Sequence, residues 1–309
     1  VSEPQGKFLV IRGGAIGDFV LTLPVFAAIK QMFPESHVEV LGYPNVTQLA
    51  VDGGAADAAR SIEARVLASY FIGKGEPDPS LKDYFASFDI VISYLYDPDC
   101  FFRSNVMGCG EIQFIQGPHR PDEDESLHAT DALLKPLEQL AIFGADSVPR
   151  LQLPTDTGEL MKQPQLAVHP GSGSEQKNWP IERWTELLRR LDETSIGPIL
   201  IIGGEADSVR MKHLRSVLDS SRFTFLEHRP LTEVARHLKE CRAFVGHDSG
   251  IGHLAAAVGV PGISLWGETN ETVWRPKSES FEIVKSPAGL SALTVDEVLS
   301  SVSALLARD

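Results

Sequence analysis

Near the start of the chain, Phe8 to Ile11 is an unbroken apolar run, closed by Gly13, Gly14 and Gly17 and followed by a helical pattern from Phe19 to Met32. Apolar residues without polar alternation, ended by glycines and a helix, predict a strand buried on both faces of a parallel sheet. Val38 to Leu41 and Asp89 to Tyr94 predict further strands, and His128 to Phe143 predicts a helix. The stretch from Val148 to Pro164 carries Pro149, Pro154 and Pro164 with little periodicity, so the interdomain linker is expected there. The pattern then restarts with Gln165 to Val168, the turn HPGSGSEQKNWP and a helix from Ile181 to Leu191. Strands are predicted at Pro198 to Ile202, Phe223 to Leu226, Ala243 to Gly246 and Gly262 to Leu265, with helical segments between them. Val295 to Leu306 reads as a closing amphipathic helix. Strand–helix alternation in both halves predicts an α/β fold of two Rossmann-like, doubly wound parallel-sheet domains, residues 1–155 and 156–309, facing a cleft. In such sheets ligands sit at the carboxyl ends of the strands, where the glycine-rich turns of this chain fall.

Composition narrows the function classes. The 309 residues are 43% apolar and 23% charged, which suits a soluble globular chain of two domains. A net charge of -14 argues against a sequence-independent grip on nucleic acid and against a polybasic membrane anchor. Cys100, Cys109 and Cys241 have no metal-ligand spacing and are expected to be buried or inert thiols. The opening VSEPQGKFLVIRGG lacks a signal-peptide pattern, and no apolar run reaches the roughly 18–20 residues that span a bilayer. The expected location is cytoplasmic, with a peripheral contact at the inner face of the cytoplasmic membrane left open.

Four segments carry candidate chemistry. In Arg12-Gly13-Gly14-Ala15-Ile16-Gly17-Asp18, Arg12 stands where a dinucleotide fingerprint needs its first glycine. Gly42 and Tyr43 end the second strand in place of a ribose-binding acid, so NAD is disfavoured. What remains is a turn presenting Asp18 at the mouth of a helix, as a helix cap or as a base. In His169-Pro170-Gly171-Ser172-Gly173-Ser174, small residues after a strand expose amides, and Lys177 adds a mobile charge; together they suit a phosphate or pyrophosphate. The alternative is a plain surface loop with Pro180 opening the next helix. Gly246-His247-Asp248-Ser249-Gly250-Ile251-Gly252-His253 precedes a predicted helix, Leu254 to Val258, whose start can hold an anion. Asp248 would repel a phosphate, so capping, or orienting Ser249 or His253, is its expected role. A hydrolase triad is disfavoured because no G-x-S-x-G turn exists, and a metal is disfavoured because His247 and His253 have no matching carboxylate or Cys. Glu205 or Asp207, directly after a strand, could accept ribose hydroxyls or simply cap a turn. Asp122 to Glu125 is a charge run expected in a solvated loop.

Three motifs in order carry a resemblance: Gly17-Asp18 with Leu21-Thr22-Leu23-Pro24, His169-Pro170-Gly171 with Lys177-Asn178-Trp179-Pro180, and Asp248-Ser249-Gly250 with His253-Leu254-Ala255-Ala256-Ala257. Together with Gly259 to Gly267 they resemble the heptosyltransferases of glycosyltransferase family 9, across almost the whole chain. The resemblance implies a GT-B fold with an N-terminal acceptor domain and a C-terminal domain for a nucleotide-sugar donor, ADP-heptose foremost. It implies inversion in one displacement, no metal and no cofactor. Asp18 maps onto the base and Lys177 onto the cation at the departing diphosphate, while Asp248, Ser249, Gly250 and His253 map onto the diphosphate loop. The implied acceptor is a glycan or a glycolipid of the lipopolysaccharide type. Residues 1–155 carry eleven basic and twenty-one acidic residues, a field that suits a neutral glycan better than a heavily anionic acceptor. An epimerase or hydrolase of nucleotide sugars, and a non-catalytic nucleotide-sugar binder, are the alternative readings.

Overall fold

A computed structural model describes residues 5–73, 76–154, 166–194, 196–218 and 221–308. The chain divides into two compact units, Val1–Gln152 and Leu153–Asp309. Most of the proline-rich stretch expected to link the domains lies outside the described residues.

The first unit contains five parallel strands, β1 (Lys7–Arg12), β2 (His37–Gly42), β3 (Ala58–Ser61), β4 (Ile90–Ser93) and β5 (Gln113–Gln116). Their order is β3-β2-β1-β4-β5, so the winding reverses between β1 and β4. The helices are α1 (Ile16–Val20), α2 (Leu23–Met32), α3 (Pro44–Asp52), α4 (Lys82–Ala86), α5 (Phe101–Met107) and α6 (Ala129–Leu134). Leu9, Ile11 and Leu41 are fully buried from water, packed with Tyr70, Phe85 and Phe102. Two sequence expectations need correction here. The helix predicted from Phe19 to Met32 is two helices, because Pro24 has no N–H to donate to a carbonyl of the preceding turn, and the chain restarts at Leu23. The helix predicted from His128 to Phe143 is α helical only to Leu134 and continues as a 3-10 turn, with Pro136 at its start.

The second unit contains six parallel strands: β6 (Leu166–Val168), β7 (Ile199–Gly203), β8 (Phe223–Glu227), β9 (Ala243–His247), β10 (Gly262–Leu265) and β11 (Phe281–Val284). Their order, β11-β10-β9-β6-β7-β8, reverses between β6 and β9. Its helices are α7 (Ile181–Asp192), α8 (Ser208–Val217), α9 (Leu231–Lys239), α10 (Gly250–Ala257), α11 (Glu271–Trp274) and α12 (Val295–Leu306). On α7 the buried residues Trp184, Leu187, Leu188 and Leu191 recur at helical spacing and face the sheet, which is why the segment is a surface helix. Helix α10 begins at Gly250, a turn earlier than its apolar pattern predicts, because Ser249 caps it and Gly250 and Gly252 are tolerated in the first turn. No helix among the described residues is long and apolar enough to cross a membrane.

Candidate functional site

In the first unit, the turn after β1 holds Asp18. It is the third residue of α1, and its Oδ2 accepts the Ala15 N–H at 2.9 Å. Its Oδ1 lies 3.3 Å from Arg12 Nη2. Arg12 also donates from Nη1 to the His119 carbonyl at 2.9 Å and from Nε to the Asp18 carbonyl at 3.3 Å. The guanidinium is 3% exposed and the Asp18 side chain 30%, so a buried cation fixes a carboxylate that still reaches solvent. Burial lowers the Arg12 pKa and the neighbouring Asp18 charge opposes that shift. Gly14 is required here: its φ is +98°, and a Cβ would stand 2.7 Å from Asp18 Oδ2.

In the second unit, β6 and β9 pair in register, Val168 opposite Val245, at the point where the winding reverses. His169 and the segment Gly246 to Ser249 therefore leave the sheet side by side. His169 Nδ1 lies 3.2 Å from Ser249 Oγ and its Nε2 3.3 Å from Asp207 Oδ2. Asp207 also accepts the Gly204 N–H at 2.8 Å. Burial opposes ionisation of Asp207, but His169, the Gly204 amide and Arg210 outweigh it and hold the carboxyl below its ordinary range. Gly171 lets this carboxylate in: a Cβ there would be 1.7 Å from Asp207 Oδ1. Ser249 Oγ accepts the Gly252 N–H at 3.3 Å, so Ser249, not Asp248, is the cap of α10. Asp248, buried, instead takes Lys177 Nζ at 2.6 Å.

The backbone just after Lys177 is anchored by the residues that follow it. Trp179 is fully buried and donates its indole N–H to the Leu293 carbonyl at 2.9 Å. Its backbone N–H donates to His247 Nε2 at 2.8 Å, and Trp184 Nε1 donates to the same nitrogen at 3.2 Å. Nε2 is thus an acceptor, so Nδ1 carries the hydrogen and donates to the Gly171 carbonyl at 3.1 Å. Burial pushes the His247 pKa down to about 3. With both nitrogens engaged, His247 is a tie between the turn after β6, the Lys177 loop and β9.

The structure thus gathers His169, Gly171, Lys177, Asp207, Asp248 and Ser249 in one region of the second unit, with Gly250 at the head of α10. Ser172 is buried, and its hydroxyl donates to the Ser174 carbonyl at 2.7 Å, closing the turn. His253 is buried within the first turns of α10. Glu205 is exposed, whereas Asp207 is buried. Among the described residues no group of three or more His, Cys, Asp or Glu is placed to hold a metal ion. Cys241 is buried, with its thiol pushed up to about 12, Cys109 is half-buried and Cys100 is exposed. Sequence reasoning missed Arg12 as the partner of Asp18 and His247 as the tie. The signal for Arg12 was an arginine at the end of an apolar strand, a place where a charge must be paired.

Two doubly wound parallel sheets, each with a glycine-rich turn at its winding reversal, define the GT-B class of two-Rossmann-unit proteins. The family model described as glycosyltransferase family 9 (heptosyltransferase) matches residues 127–297, more than half of the chain. The chain belongs to that family. It is 35% identical over 156 residues to lipopolysaccharide heptosyltransferase 1 of Pseudomonas aeruginosa, an alignment covering 50% of this chain and 41% of that relative. It is 21% identical to lipopolysaccharide heptosyltransferase 3 of Escherichia coli over 95% of this chain and 96% of that one. The structure of the E. coli heptosyltransferase WaaC with ADP superposes with a TM-score of 0.72 at 18% identity, covering 97% of this chain and 99% of the other.

Proposed function

We propose that the protein is an inverting, metal-independent heptosyltransferase that takes ADP-heptose as donor and a lipopolysaccharide-type glycan as acceptor. The observation that carries this reading is the cradle at the β6–β9 reversal. There the turn after His169, Lys177 and the capped start of α10 offer amides, one mobile cation and one hydroxyl to an anion. An ADP-linked donor is supported by family membership and by the ADP bound in the similar E. coli enzyme.

In this reading the diphosphate lies on the amides of the turn after β6 and of Gly250 at the head of α10. Lys177 exchanges its contact with Asp248 for the diphosphate oxygens, and Glu205, the exposed acid of its pair, takes the ribose hydroxyls. An acceptor hydroxyl attacks the anomeric carbon from the face opposite the diphosphate. As the new C–O bond forms, Asp18 accepts the hydroxyl proton, and the bond to the diphosphate breaks with its electron pair leaving on ADP. Fixed dipoles and Lys177 stabilise that departing charge. Asp18 is supported as the base by its partial exposure and by the arginine that fixes its orientation.

Replacing Asp18 by Asn tests the assignment. Turnover should fall by about 10²–10⁴-fold, the usual worth of general-base help, with ADP affinity changed by less than about twofold. Unchanged turnover would remove Asp18 from the mechanism. Incubation of donor without acceptor separates the alternatives: a transferase releases ADP slowly, whereas a hydrolase or epimerase works at full rate.

A further inference from the structure

Three side chains from three separate loops of the second unit stand in a line: Asp207 beyond β7, His169 after β6 and Ser249 after β9. Asp207 and His169 are buried, and the distances are 3.3 Å from carboxylate to Nε2 and 3.2 Å from Nδ1 to the hydroxyl. An ionised carboxylate only accepts, so Nε2 must carry a hydrogen. In a neutral ring Nδ1 is then an acceptor, and the Ser249 hydroxyl must point its hydrogen at it. The lone pairs of Ser249 are left to face outward and toward Gly252 N–H, 3.3 Å away. An anion at the head of α10 would meet a lone pair where it needs a donor.

A second proton on the ring reverses this. Nδ1–H donates to Ser249 Oγ, Gly252 N–H keeps its contact, and the hydroxyl hydrogen turns outward. We propose that Asp207 and His169 are positioning residues that set the direction of the Ser249 hydroxyl, with His169 taking up a proton from solvent as a diphosphate binds. The inference rests on the reading of the cradle as the diphosphate site. No covalent bond other than N–H is made or broken: Ser249 keeps its hydrogen, and the proton on Nδ1 returns to solvent when the diphosphate leaves.

The charged groups around the ring are consistent with this exchange. From the 3-10 turn Glu205–Asp207 and from α8 come Asp207 and, beyond it, Arg210, which is paired with Glu175. From β9 comes His247, which its three partners hold neutral. From the approach to α10 come Asp248, neutralised by Lys177, and His253 on the helix itself. A carboxylate behind the ring stabilises the imidazolium, so the proton has a built receptor.

The test is ADP affinity by calorimetry from pH 6.5 to pH 9 in wild type and in His169→Gln. The ionisation of ADP itself is common to both proteins and cancels in their ratio. The wild-type advantage should shrink by about tenfold per pH unit over the range in which binding takes up the proton and level off once the bound state loses it too, and calorimetry in buffers of different ionisation heat should show more proton uptake in wild type than in the variant. Asp207→Asn should behave as His169→Gln does. If His169→Gln does not fold, Ser249→Ala carries the comparison, because it removes the hydroxyl and leaves the imidazole–carboxylate pair intact; its profile should lack the steep fall. Parallel profiles in proteins that all bind ADP would overturn the relay and leave the diphosphate reading standing. Failure of wild type to bind ADP at any pH would overturn both.

Discussion

The neighbours of Asp18 hold its carboxylate in one orientation. Arg12 holds one oxygen, the Ala15 amide holds the other, and Gly14 clears the space beside them. Gly14→Ala should therefore lower turnover by at least about tenfold while sparing ADP affinity. It should also cost about 1 kcal/mol of stability, because an L residue at φ +98° is strained. Steady-state kinetics beside a denaturant melt checks both. His247 makes a prediction about pH. Its folded pKa of about 3 lies below the ordinary 6.5, so below pH 6.5 the unfolded chain binds a proton that the folded chain refuses. Stability is then full above about pH 6.5 and falls by about 1.4 kcal/mol per pH unit as pH drops toward 3. The lowered pKa of His237 acts in the same direction. Denaturant melts at pH 7, 6 and 5 would show the decline, and a flat profile would contradict the buried, neutral His247. At this scale the sequence displayed the residue types of the site but not their pairing. Lys177 faces Asp248, seventy-one positions away, and His169 faces Ser249, eighty away; those meetings depend on which strands neighbour each other.

Elements were legible where burial makes a continuous apolar run. Among the central strands, β1, β4, β6, β7 and β9 follow such runs, β2 is read across Glu39 and β10 across Ser264, and β8 is the one edge strand the sequence predicts. The strands missed, β3, β5 and β11, are all sheet edges. An edge strand is half covered, so its residues, such as Ala58-Ala59-Arg60-Ser61, carry no unbroken apolar signature. Helix ends followed proline and caps more than apolar periodicity, as the break before α2 and the early start of α10 show. A capping box at α12 gives a prediction free of the chemistry. Thr294 Oγ1 accepts the Glu297 N–H at 3.3 Å, while Glu297 accepts the Thr294 N–H at 2.7 Å. Thr294→Ala should cost about 1 kcal/mol in a melt and leave turnover unchanged. A loss of turnover without a loss of stability would show that α12 does more than close its sheet.

For the whole molecule, the alternation of strands and helices announced two parallel sheets, and the doubly wound order explains why the motifs matter. In each unit a turn carrying candidate residues follows the first strand, at the reversal, where two neighbouring strand ends diverge and leave room for a ligand. The family match supports a nucleotide-sugar transferase over a nicotinamide enzyme. The most direct test of that claim is a thermal-shift panel of ADP, UDP, GDP, CDP and NAD, each with EDTA and with Mg²⁺. A ligand at 100 times its dissociation constant stabilises the folded chain by about 2.7 kcal/mol, which such a panel resolves. ADP should shift the melt more than any other ligand, equally in EDTA and in Mg²⁺, and Lys177→Ala should abolish that shift. Stabilisation by NAD, a shift that needs Mg²⁺, or no shift with ADP would contradict that claim.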